Sequence, residues 1–269
     1  MDLQNTRIAI IGGGNIGTAI TRGLLRSGKI PADHIILTRR NISKISEFSD
    51  LGVKVMDDNC KAVSSSDVII LAVLPSQLLG LIDSLKEVIS KDRHILVSVV
   101  TAFSLKEIIQ RSESEASFVR AMPNTAAAVG ESMTCLCSNP EHQPALEKVR
   151  LIFDQIGSTL IIPENLMSSA TILGACGIAF FMRYIRAASQ GGIQVGFHAA
   201  DAQFIAAQTA RGATSLLLES GNHPEREIDK VTTPMGCTIA GLNEMEHNGL
   251  SSALIKGIVL SYNEINKLK

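Results

Sequence analysis

The 269-residue sequence contains no tryptophan and only two tyrosines, and its formal net charge is -1. Nowhere do Lys and Arg cluster among aromatic residues, so the chain has neither the cationic surface nor the stacking rings of a nucleic-acid binder. No nucleic-acid partner is expected.

Paired cysteine spacing is also missing. Cys60, Cys135, Cys137, Cys176 and Cys237 are odd in number, and the "CLC" at 135–137 has no second half with which to form a zinc site or a disulfide framework. Small buried thiols in a reducing compartment are expected, with no metal.

The opening "MDLQNTRIAII" reaches its first apolar strand with no basic leader or cleavage site, and no uninterrupted apolar run approaches a membrane span. A cytoplasmic protein with no membrane partner is the expectation. Internal repeats and low-complexity tracts are absent too.

Hydrophobic residues make up 45% of the chain, enough to bury a sizeable core in about two domains. Short β-branched runs recur through the first 160 or so residues: "RIAIIG", "HIILTR", "VKVMD", "DVIILAV", "HILVSVV", "SFVRAM", "SMTCLC" and "STLIIP". Helix-like stretches separate most of them. The pattern predicts an α/β domain over residues 1–163, with a mostly parallel Rossmann-type sheet covered on both faces.

After Pro163 the strand signal stops. In "DAQFIAAQTARGATSLLL" the residues Ala202, Ile205, Ala206, Thr209, Ala213, Leu216 and Leu217 recur at steps of three and four, the period of a helix with one buried face. Residues 164–269 read as an all-α domain whose small residues suit close helix packing, including packing against a second subunit.

Gly12, Gly14 and Gly17 form G-x-G-x-x-G between a predicted strand and the helical "TAITRGLLRSG". The first glycine permits the tight turn, the second lets backbone approach a pyrophosphate, and the third allows close helix–strand packing. The N–H groups around Asn15 and Ile16 would then face the anion at a helix start. An acidic residue for the ribose hydroxyls of NAD is expected about twenty residues on. The chain has "LTRRN" there, and Arg39 and Arg40 suit a 2′-phosphate, so NADPH is expected, with NADH as the alternative donor.

Further segments carry a family resemblance over nearly the whole chain: "DDNCKAV" at 57–63, "AVLPSQ" at 72–77, "RAMPNTAAAVGESMT" at 120–134, "LLLESGNHPEREIDKVTTPMGCTIAGL" at 216–242 and "ALIKGIV" at 253–259. The sequence resembles the pyrroline-5-carboxylate reductases, which reduce a cyclic imine to proline with NAD(P)H. The resemblance implies an interlocked homodimer, or a larger assembly of dimers, with each active site between the two domains near the dimer interface. It implies cofactor contacts at Asn59, Ala72, Val73 and Pro75. It also implies a substrate loop comprising Thr233, Met235, Gly236, Cys237 and Thr238, in which backbone N–H groups hold a carboxylate and the Thr238 hydroxyl faces the imine nitrogen. From the residues alone, Thr233 and Pro234 suit the opening of a helix.

Four positions depart from the family pattern: Leu74 stands where a lysine is usual, Met235 where a glycine is, Ile178 where a proline is and Cys176 where a serine is. At Met235 a long side chain would narrow or reshape the pocket. Two other readings share the architecture: an imine or β-hydroxyacid reductase with a changed substrate, and a catalytically weak NADPH-binding sensor. Dehydrogenases of the β-hydroxyacid type use a lysine on the long helix after the first domain, and Gly174 to Ala188 contains none. Arg183 and Arg186 share a face of that helix and would meet an acidic group or lie along the surface. Surface or structural roles are expected for all six histidines.

Overall fold

The computed structural model describes residues 3–267. All eight strands read from the sequence form: β1 (Ile8–Ile11), β2 (Ile35–Thr38), β3 (Lys54–Met56), β4 (Val68–Leu71), β5 (Ile95–Ser98), β6 (Ser117–Met122), β7 (Ser132–Ser138) and β8 (Gly157–Ile161). They make one sheet in the order β3-β2-β1-β4-β5-β6-β7-β8. Pairing is parallel from β3 to β6, β7 runs antiparallel to β6, and β8 is parallel to β7.

Helices α1 (Asn15–Ser27), α2 (Glu47–Asp50), α3 (Asn59–Ser64), α4 (Pro75–Leu85), α5 (Leu105–Ser112) and α6 (Gln143–Phe153) connect the strands. The period-2 geometry of a strand sends Ile8 and Ile10 to one face of the sheet and Ala9 and Ile11 to the other, so β1 feeds two cores. Ile20, Leu24 and Phe153 fill the first, and Leu78, Ile82 and Ile108 the second, all essentially solvent-free. Each such side chain contributes about 1.5–3 kcal/mol. The sheet half therefore closes its own core.

The chain leaves β1 toward β2 and β3, then returns to lay β4 on the other side of β1. Between the carboxyl ends of β1 and β4 is the switch point at which open α/β sheets bind ligands.

Beyond β8 the described residues are helical: α7 (Met167–Ala170), a π-helical turn over Thr171–Cys176, α8 (Gly177–Gln194), α9 (Ala199–Ser220), α10 (Pro224–Lys230), α11 (Cys237–His247) and α12 (Leu250–Asn266). Two compact units result. One holds the residues up to Ile178 with those from Tyr262 on; the other is Ala179–Ser261.

In the second unit only Ser189 and Ala202 are buried. The helical face expected along α9 has the right period, but Ala202 alone is covered: Ile205 is 44% exposed and Leu216 57%. The contacts that would cover this face are not made within one chain.

Among the described residues the helical run Glu164–Gln194 is long and apolar enough to cross a membrane, by length and composition only. That corrects the expectation that no stretch approaches such a length; Arg183 and Arg186 interrupt the run in the sequence but not as a helix. All five cysteines are free, but only Cys135 and Cys137 are buried as expected: Cys60 and Cys176 are half-buried, and Cys237, which opens α11, is exposed.

Candidate functional site

At the end of β1 the chain turns at Gly12, whose φ of +112° is open to glycine and strained for other residues. A Cβ on Gly12 would lie 2.5 Å from the Ala72 carbonyl oxygen, and one on Gly17 2.1 Å from the Gly12 carbonyl oxygen. Backbone cannot yield to a methyl, so both positions need glycine. Gly14 differs, because nothing lies within 4 Å of where its Cβ would stand. It is the N-cap of α1 and offers no side chain to that helix's first N–H groups, and no acidic residue lies in the first turn. Those donors and the positive end of the helix dipole remain for an anion.

The residues after β2 divide the work. Thr38 is buried; its carbonyl accepts the Gly12 and Gly13 N–H groups at 3.2 and 2.7 Å, and its hydroxyl donates to Asn59 Oδ1 at 2.7 Å. Asn59, the first residue of α3, is thereby tied to the glycine turn. Arg39 is half-buried and donates from Nη1 to the Gly13 carbonyl at 2.6 Å. Arg40 is exposed. The two arginines, alike in sequence, hold different places.

After β4, Ala72 is buried and its N–H donates to the Ile11 carbonyl at 2.8 Å. Val73 lies against Gly12, and Pro75 opens α4. Leu74, the N-cap of α4, is 65% exposed, so an apolar side chain stands where the family pattern has a cation. Gly12, Gly14, Asn15, Ile16, Gly17, Arg39, Arg40, Asn59, Ala72, Val73 and Pro75 thus gather along one carboxyl edge of the sheet, around the switch point. A bare turn, an uncapped helix start and a free guanidinium suit a phosphorylated dinucleotide.

In the helical unit, α11 starts at Cys237 with Gly236 as its N-cap, three residues later than Thr233 and Pro234 implied. Thr233 first closes a tight turn, its carbonyl accepting the Gly236 N–H at 3.0 Å. A Cβ on Gly236 would lie 2.5 Å from Thr233 Oγ1. Met235 holds φ +57°, the left-handed conformation natural to glycine, and its side chain is fully exposed. Met235 thus sits in a backbone conformation that glycine adopts without strain. Cys237 is exposed and Thr238, the second residue of α11, is half-buried. No side chain caps this helix and its first turn holds no acidic residue, so a second anion-receptive helix start is present.

Other features were not legible in the sequence. Asn124 is buried in "MPNT", and its amide nitrogen donates to the Gly174 carbonyl in the π-turn at 3.1 Å while its oxygen accepts the Ala126 N–H at 3.0 Å. Arg120, almost wholly buried, meets Glu164 at 3.1 Å, and the same Glu164 oxygen accepts the Leu105 N–H at 2.6 Å. Burial pushes the nearby Cys137 thiol up to about 11, which keeps it protonated and unreactive. Arg183 and Arg186 are both exposed. His223 caps α10 by accepting the Glu225 N–H at 3.3 Å, a structural role.

Comparison with known proteins agrees with this geometry. The model for pyrroline-5-carboxylate reductase dimerisation matches residues 164–268, and that for NADP oxidoreductase, coenzyme F420-dependent, matches residues 7–102. Pyrroline-5-carboxylate reductase 2 of Dictyostelium discoideum is 46% identical over 99% of this chain and 94% of its own length. The chain belongs to the pyrroline-5-carboxylate reductase family. Pyrroline-5-carboxylate reductase 1 of the same organism is 48% identical over 97% of this chain, which spans only 49% of that relative's length. A crystal structure of the Plasmodium falciparum pyrroline carboxylate reductase with NADP bound is 22% identical, covers 98% of both chains and superposes with a TM-score of 0.86, which shows the shared fold. As a member of this family the chain is an NAD(P)-dependent oxidoreductase.

Proposed function

We propose that this chain reduces 1-pyrroline-5-carboxylate to proline with NADPH, the last step of proline biosynthesis, working in the cytoplasm as a homodimer or a larger assembly of dimers. The observation that carries the reading is the presence, in one member of the family, of two uncapped helix starts without acidic residues: α1 behind the glycine turn and α11 behind Thr233–Gly236. One suits a pyrophosphate and the other a substrate carboxylate. Residues 1–163 act as the cofactor domain and residues 164–269 as the dimerisation and substrate domain.

When bound, NADPH supplies the hydride for the imine carbon. The N–H groups after Gly14 hold its pyrophosphate, Arg40 meets the 2′-phosphate, and Arg39 keeps the turn in place through Gly13. Asn59, Ala72, Val73 and Pro75 line the remaining edge.

In the substrate loop the N–H groups of Cys237 and Thr238, with the Thr233 hydroxyl, hold the carboxylate and so fix the ring, while the Gly236 N–H closes the turn onto the Thr233 carbonyl. The Thr238 hydroxyl hydrogen-bonds the imine nitrogen and is the catalytic group. A threonine hydroxyl is too weak an acid to supply the proton alone, so the imine arrives protonated or a water completes the relay. The five free thiols fit a reducing compartment.

Kinetics of Thr238→Ala and Thr238→Ser test the assignment. The alanine variant is expected to lose about 100-fold in kcat/KM with NADPH affinity unchanged, and serine to restore most of it. A rate indifferent to Thr238→Ala would move the catalytic role elsewhere.

A further inference from the structure

Among the described residues, three that are not glycine hold a positive φ: Ala102, Glu113 and Met235. Glu113 is the C-cap of α5, with its N–H bonded to the Ile109 carbonyl, an ordinary helix end. Met235 has no such role. A side chain in the left-handed region is strained, and Met235 does not offset that by packing within the chain, because its side chain is fully exposed.

The turn around Met235 is closed by a hydrogen bond. Gly236 follows immediately with no room for a Cβ beside Thr233 Oγ1, and its N–H is bonded to the Thr233 carbonyl. Met235 is therefore held out next to the start of α11, one residue before the N-cap. Around it the loop offers hydroxyls at Thr233 and Thr238, a thiol at Cys237 and backbone N–H groups. The Met235 side chain is the long apolar, adaptable group among them.

We propose that Met235 determines substrate specificity: its side chain forms the apolar wall against the ring methylenes of the bound cyclic imino acid and so sets the ring size the loop accepts. The inference rests on the assignment of this loop to the substrate. A carboxylate held at the α11 start leaves the hydrocarbon edge of the ring to be covered, and covering it removes both that edge and an exposed methionine from water. Discrimination by one methylene in such a pocket amounts to about 10- to 200-fold.

The test compares the unsubstituted chain with Met235→Gly and Met235→Ala, each offered a five-membered and a six-membered cyclic imine carboxylate with NADPH. The glycine variant is expected to shift the kcat/KM ratio at least tenfold toward the six-membered ring, alanine to shift it less, and the melting temperature of the glycine variant to stay level or rise. An unchanged ratio in Met235→Gly overturns the proposal. So does an equal loss for both rings accompanied by a lower assembly mass, which would place Met235 against the partner subunit instead. If the unsubstituted chain reduces neither acid, the loop's assignment to substrate fails, and the proposal with it.

Discussion

Arg39 donates its guanidinium to the carbonyl oxygen of Gly13 at 2.6 Å, fastening the end of β2 to the middle of the glycine turn. Arg40, its neighbour in sequence, is exposed. Arg39→Ala should therefore loosen the turn for either cofactor and weaken NADPH and NADH by similar factors. Arg40→Ala should weaken NADPH about tenfold or more, the value of a lost charge-assisted phosphate contact, and leave NADH nearly unchanged. Titration of both variants with both cofactors reads this directly. Equal losses for Arg40→Ala would end its assignment to the 2′-phosphate.

Two glycines of one motif should fail differently. Gly17→Ala places a methyl 2.1 Å from a carbonyl oxygen and should lower stability by about 2 kcal/mol or more, seen as a reduced melting temperature. Gly14→Ala has open space around it, so the variant should fold normally yet bind NADPH at least tenfold more weakly, because the methyl stands where the pyrophosphate approaches. Unimpaired NADPH binding by Gly14→Ala would contradict the cradle.

The strands were legible because most are short apolar runs that fill both faces of a sheet, as Ile8 and Ala9 show, while the edge strands β3 and β8 are partly exposed. The glycine spacing was legible because it answers to local backbone geometry. What escaped depends on encounters between distant residues or different molecules. Asn124 meets Gly174 across fifty residues, and the π-turn that contains Gly174 has no periodic signature. The α9 stripe from Ala202 to Leu217 announced a helix face but not what covers it, since period does not distinguish a chain's own core from a partner's surface. Met235 announced a departure from the family pattern, but only the backbone showed that it holds a left-handed conformation.

His94 gives a pH dependence. It is buried, and its Nδ1 accepts the Ser90 N–H at 3.0 Å. Burial, with help from the nearby Arg93 and against the pull of Asp67, holds the imidazole below its usual range. The unfolded chain takes up a proton near pH ~6.5 and the folded chain only at lower pH, so this stabilisation is complete above that value and is lost as pH falls through the window below it. The melting temperature should drop on acidification below about pH 6.5, and His94→Asn, which keeps an acceptor, should flatten that drop. Parallel profiles for the two proteins would exclude His94 as the cause.

Phe204 is 72% exposed and Leu218 86%, and both lie on α9 in a unit that buries almost nothing of its own. Exposed, they contribute almost none of the 1.5–3 kcal/mol that burial of such a side chain yields. Phe204→Asp together with Leu218→Asp should dissociate the assembly and reduce helix content. Light scattering should find at least twice the chain mass before substitution and a single-chain mass after it. A single-chain mass for the unsubstituted protein would contradict the dimer.

The decisive measurement is proline production by the purified chain from pyrroline-5-carboxylate and NADPH. One proline for each NADPH consumed, at a rate that saturates with the imine, is expected. Tight NADPH binding with no proline formed would contradict the reductase and leave a cofactor-binding sensor in its place.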